Sequence, residues 1–84
     1  MSGLEKYAEA LQSYDRAIEI NPNNAFAWFN RGLTLANLQR YDEAIDSYNK
    51  GLAIEPDNTH ARRLRERILM WKQEGDVSVV STNY

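Results

Sequence analysis

LEKYAEALQSYDRAIEINP (residues 4–22) and LQRYDEAIDSYNKGLAIEP (residues 38–56) are two copies of one pattern, set thirty-four residues apart. Eight of the nineteen aligned positions are identical: Leu4/Leu38, Tyr7/Tyr41, Glu9/Glu43, Ala10/Ala44, Ser13/Ser47, Tyr14/Tyr48, Ile20/Ile54 and Pro22/Pro56. Most of the others keep their chemical type, as Leu11 does over Ile45 and Ile18 over Leu52. A fixed period of this length marks stacked helical units, none of which can bury its apolar face alone. Chains built this way hold other chains more often than they transform small molecules.

Leu4, Tyr7, Leu11, Tyr14, Ala17 and Ile18 recur at three-and-four spacing, which gathers them on one stripe of a helix over residues 4–20. Pro22 ends that helix, since it has no amide hydrogen and biases Asn21 away from the helical region. Asn23 and Asn24 offer caps to a second helix over residues 25–38. A short polar connection, Gln39 and Arg40, leads to a third over residues 41–54, which copies the first and stops before Pro56. Asp57 and Asn58 repeat the capping chance, and a fourth helix follows over residues 59–74, with Gly75 placed to end it. Short connections make neighbouring helices antiparallel. The expected class is all-α, with one helical domain over residues 1–74 and a flexible tail over residues 75–84.

Composition narrows the function classes. The chain has no cysteine and one histidine, His60, which excludes disulfides, thiolate metal sites and multi-histidine clusters. No apolar run approaches the roughly 18 to 20 residues that span a bilayer, and the start lacks a secretory layout. A soluble, cytosolic domain without membrane contact is expected. The net charge of −2 is unevenly distributed. Residues 1–58 carry five Lys/Arg against nine Asp/Glu, and residues 59–84 carry five against three. The last third is the only basic region.

Trp28, Arg31, Gly32, Leu35, Ala44, Tyr48, Gly51 and Pro56 resemble the signature of the tetratricopeptide repeat (TPR): W-x2-L-G-x2-Y, then A-x3-F, then P. Arg31 stands where the pattern has Leu, Leu35 where it has Tyr, Tyr48 where it has Phe, and Gly51 where a small Ala is usual. The resemblance covers one complete repeat, the second half of a preceding one and a weaker first half of a following one. It implies a right-handed superhelical solenoid of helix pairs. Gly32, Ala44 and Gly51 carry little or no side chain, so two helix backbones can approach closely there.

The fourth segment departs from the second in one direction. Trp28 becomes Arg62, Phe29 becomes Arg63 and Gly32 becomes Glu66. A carboxylate buried at a backbone contact costs on the order of several kcal/mol, so this helix is expected to cap the array. Its surviving stripe, Ala61, Leu64 or Arg65, Ile68 and Trp71, suits packing back onto the third helix. At the other end the apolar face Tyr7, Leu11, Tyr14 and Ile18 lacks its preceding helix. The chain reads as part of a longer array, and these four residues are candidates for self-association into a homodimer.

The resemblance implies that first helices of successive repeats line a concave groove for a peptide or partner helix. Its candidate residues here are Phe26, Phe29, Asn30, Leu33 and Asn37, with a contact to a missing upstream helix as the alternative role of the two phenylalanines. Asn30 coincides with an asparagine that some members use for carboxylate-ended chaperone tails, but His60 and Leu64 stand where flanking basic residues are needed. Arg62, Arg63 and Arg67 are candidates for an anionic ligand, including nucleic acid, although the acidic total speaks against RNA. A solvated cap helix is the simpler explanation of these arginines, and Arg62 is spaced to pair with Glu66. Asp42, Glu43 and Asp46 sit at a helix start, where negative charge complements the dipole. No residue set supports an enzyme, a metal or a cofactor. A protein-interaction module is the expected function.

Overall fold

The computed structural model describes residues 3–81, with side chains over residues 5–74; among these it contains four helices and no strand. They are α1 (Gly3–Ile20), α2 (Ala25–Asn37), α3 (Tyr41–Ile54) and α4 (Thr59–Ser81). Each packs on its neighbour in sequence, α1 on α2, α2 on α3 and α3 on α4. The starts of α2 and α4 are set by side-chain caps at repeat-equivalent places. Asn24 Oδ1 accepts the Ala27 amide at 3.1 Å, and Asn58 Oδ1 accepts the Ala61 amide at 3.0 Å.

The turn between α2 and α3 is held without glycine. Gln39 has φ of 63°, its amide donates to the Ala36 carbonyl at 2.9 Å, and the Arg40 amide donates to the Leu35 carbonyl at 2.9 Å. This pair of bonds is a Schellman motif, which satisfies the last carbonyls of a helix. The left-handed conformation costs a residue with a Cβ on the order of 1 kcal/mol. Arg40 then grips Glu43, with Nε to Oε1 at 2.8 Å and Nη2 to Oε2 at 2.7 Å. Those hydrogen bonds hold the Glu43 carboxyl below the usual carboxylate range.

The core lies along the α2–α3–α4 contacts. Leu35, Ala36, Ala44, Tyr48, Leu52, Ala61 and Ile68 are buried, and Leu11, Phe29, Tyr41, Ile45 and Leu64 pack against them. At the α2–α3 seam a Cβ on Gly32 would stand 2.7 Å from Tyr48 Cδ2 and 3.0 Å from the Ala44 carbonyl oxygen. A Cβ on Gly51 would strike the ring of Phe29. The expected close approach at these glycines is therefore present, and aromatic rings fill the space each one leaves.

α4 closes the described array as anticipated on its inner side. Ala61 and Ile68 are buried against α3, and the Trp71 ring lies 6.5 Å from that of Tyr41. Lys72 Nζ reaches Asp42 Oδ1 at 2.7 Å. Glu66 is exposed, so no carboxylate is trapped in a seam. Two expectations are corrected. The backbone of α4 continues to Ser81 past Gly75, because a glycine costs a helix only about 1 kcal/mol and no proline follows it. Residues 82–84 of the expected tail lie outside the described residues. The Arg62–Glu66 pairing is not formed among the described residues, both side chains standing in solvent, where such a pair gains little.

Candidate partner-binding site

The two sides of α2 have different fates. At 3.6 residues per turn, Phe26, Asn30, Leu33 and Asn37 fall on one stripe. Phe26 is 73% exposed and Leu33 37%, Asn37 is exposed, and Asn30 is half-buried. The Asn30 carbonyl accepts a hydrogen bond from Thr34 Oγ1 at 2.9 Å. Phe29, expected on the same face, is taken up elsewhere. It stacks on Tyr48 with ring centroids 5.8 Å apart and covers Gly51. The missing side chain at position 51 leaves room for that ring, so the half-buried Phe29 contributes to the α2–α3 seam.

On the opposite side of α2, Trp28 and Arg31 tie three helices together. The Trp28 indole donates from Nε1 to the Pro22 carbonyl at 2.9 Å, and Arg31 and Lys50 lie over its ring at 5.9 Å and 5.3 Å. Arg31 Nε binds Asp15 Oδ1 of α1 at 2.7 Å, and its Nη1 donates to the buried Ser47 hydroxyl of α3. A cleft of about 330 Å3 lies over these groups, lined by Asp15, Ile18, Trp28, Arg31, Ser47 and Lys50, with further carboxylates at its rim. Arg31 thus replaces an apolar packing residue with a polar link between successive units. Arg65 repeats it one period later, donating from Nη1 to Asn49 Oδ1 at 2.8 Å. In the sequence Arg31 stands out first as a departure from the pattern. The signal was legible in the joint thirty-four-residue spacing of Arg31/Arg65 and Asp15/Asn49.

The α1 candidates are only half covered. Tyr7, Leu11, Tyr14 and Ile18 are all half-buried, and Leu11 packs against the core. Their α3 equivalents provide an internal comparison. Tyr41 and Ile45 are half-buried like Tyr7 and Leu11, but Tyr48 and Leu52 are 1% and 8% exposed where Tyr14 and Ile18 are half-buried. The difference is the helix that precedes α3 and has no counterpart beside α1 among the described residues.

On α4, Arg62, Arg63 and Arg67 are exposed, as is His60. Among the described residues no group of His, Cys, Asp and Glu is arranged to hold a metal. No described helix is long and apolar enough to cross a membrane.

Helix pairs related by a thirty-four-residue shift, with asparagine caps and polar links falling at equivalent places, define a helical repeat protein. The tetratricopeptide repeat family model matches residues 1–69, and the chain belongs to that family. No curated protein matches it with significant similarity. Members of the family generally mediate protein–protein interaction and are typically non-enzymatic scaffolds.

Proposed function

We propose that this chain is a protein-interaction module that receives a peptide or partner helix on the α2 face bearing Phe26, Leu33 and Asn37, with Asn30 at its floor. The observation that carries this reading is Phe26, whose ring is 73% exposed while Ala25 and Ala27 on either side are buried. A phenylalanine left in water forgoes about 1.5 to 3 kcal/mol of burial, which a partner's apolar side chain recovers. The neighbouring amides of Asn30 and Asn37 supply donors and acceptors for an extended backbone. Phe26→Ala should weaken binding of a peptide-library hit about tenfold or more while leaving the melting temperature unchanged. Amide shift mapping should place the perturbation on α2. Undiminished binding by that variant would remove the groove from consideration.

Self-association through α1 is the second reading, favoured by the half-buried state of Tyr14 and Ile18 beside their buried α3 equivalents. Sedimentation equilibrium over a wide concentration range should then show reversible dimers, and Tyr14→Glu should abolish them. A monomer at every concentration would defeat it.

A further inference from the structure

We infer that the side of α4 turned away from the α2 groove is a phosphate-binding site, in which Arg62 and Arg65 hold a phosphorylated serine or threonine of a partner protein beside Leu52 and Pro56. It is a separate surface from the groove proposed above. Arg62 lies about 160° around α4 from His60, the residue one period after Phe26.

The molecule carries its own template for this site. The cleft over Trp28 and Arg31 is built from three helices, with Ile18 of α1 and Trp28 and Arg31 of α2 on two sides and Asp46, Ser47 and Lys50 of α3 on the third. A second cleft, of about 340 Å3, is lined by Leu52, Pro56, Arg62 and Arg65. Leu52, Arg62 and Arg65 stand thirty-four residues after Ile18, Trp28 and Arg31, and Pro56 stands thirty-four after Pro22, whose carbonyl holds the Trp28 indole. The two clefts are one arrangement met twice. In the second, α4 is the last described helix, so the third side is open to solvent.

The charge inverts between the copies. Asp15, Glu43 and Asp46 outnumber Arg31 and Lys50 around the first cleft. The second is lined by two arginines and no acid. Trp28 gives way to Arg62, and Asp15, the carboxylate that Arg31 binds, gives way to neutral Asn49. Arg31 donates from Nε to Asp15 and from Nη1 to Ser47, whereas Arg65 donates only from Nη1, to Asn49. The Arg62 guanidinium makes no hydrogen bond or ion pair among the described residues. Two guanidinium groups one turn apart thus keep free donors at a cleft with an apolar floor. A phosphate monoester carries a charge of about −1.5 to −2 and three strong acceptor oxygens, enough for both arginines at once. A single carboxylate is matched by one forked guanidinium. Leu52 and Pro56 suit an apolar residue next to the phosphorylated one.

The test follows the Arg62 and Arg65 Nε–H signals by NMR during titration with a short synthetic peptide that has one phosphoserine followed by leucine. The same peptide with serine, the same peptide with glutamate, and vesicles containing phosphatidic acid are the other probes. The phosphorylated peptide should bind about tenfold tighter than the serine form, and inorganic phosphate should compete with it. Arg62→Gln and Arg65→Gln should each weaken it about tenfold, and Arg67→Gln less than about twofold. Asn49→Asp restores the carboxylate of the first cleft and should also cost about tenfold. Gln73→Asp adds the same charge about 12 Å along α4 from Arg65 and should cost less than about twofold. Arg65 also braces α4 on α3, so if Arg65→Gln lowers the melting temperature, Arg62→Gln and Asn49→Asp, both at exposed positions, decide the matter. Equal losses from Asn49→Asp and Gln73→Asp, or from Arg62→Gln and Arg67→Gln, would overturn the site in favour of diffuse positive charge. A glutamate form binding as tightly as the phosphorylated one would overturn the choice of phosphate. Binding of the vesicles without binding of the phosphopeptide would overturn the protein partner. Phe26→Ala should leave this titration unchanged, which separates its outcome from that of the groove.

Discussion

Tyr48→Ala should cost this domain about 3–5 kcal/mol, the range for emptying a buried aromatic site. Tyr48 is 1% exposed, stacks on Phe29 and covers Gly32, so one truncation unplugs both sides of the seam. A chain of this size holds roughly 4–13 kcal/mol in total. The expected result is a melting midpoint lowered by tens of degrees, or no cooperative transition, followed by far-ultraviolet circular dichroism. A midpoint within a few degrees of the parent would mean the seam is not where stability resides. Tyr48→Phe keeps the ring and isolates the hydroxyl. Burial pushes the Tyr48 phenol up to about 12 from its ordinary 10.0. The folded state thus keeps a proton that the unfolded chain releases. Its contribution is complete below pH 10 and disappears as pH rises toward 12, a loss of about 2–3 kcal/mol. The phenylalanine variant should lack that part of the alkaline decline.

Gly32→Val should destabilise by about 3 kcal/mol or more. Helix propensity alone predicts the opposite sign, since almost any side chain outperforms glycine in a helix interior. The geometry decides against propensity. The first added carbon would already stand 2.7 and 2.8 Å from ring carbons of Tyr48 and 3.0 Å from the Ala44 carbonyl oxygen. The ring is enclosed and the carbonyl belongs to the α3 backbone, so relief requires prising the two helices apart. Chemical denaturation of the purified variant measures the effect, and a midpoint at or above the parent's would show that the seam has slack.

Much of the fold was legible because its determinants are local. Pro22 and Pro56 stop helices wherever they occur, and asparagines just before an apolar stripe accept the first free amides. The end of α4 was not legible, because glycine weakens a helix without breaking its hydrogen bonds. The site was legible in part. Phe26, Leu33 and Asn37 were candidates because the family resemblance implies a groove there, and all three are exposed. Phe29 lies about 60° from Phe26 around the helix, too close for periodicity to separate them. Only the ring-sized space over Gly51 distinguishes an internal phenylalanine from a displayed one.

Taken alone, the amino-acid order determined the number of helices, their order, their period and the small residues at which backbones meet. Each of these follows from backbone sterics and from side chains within a turn or two of one another. Tertiary structure decided what each helix face touches. It turned Arg31 from an irregularity into a bridge between Asp15 and Ser47, sank Phe29 into the seam and left Phe26 in water. Such outcomes depend on groups sixteen or more positions away, brought within reach only when the rods have stacked.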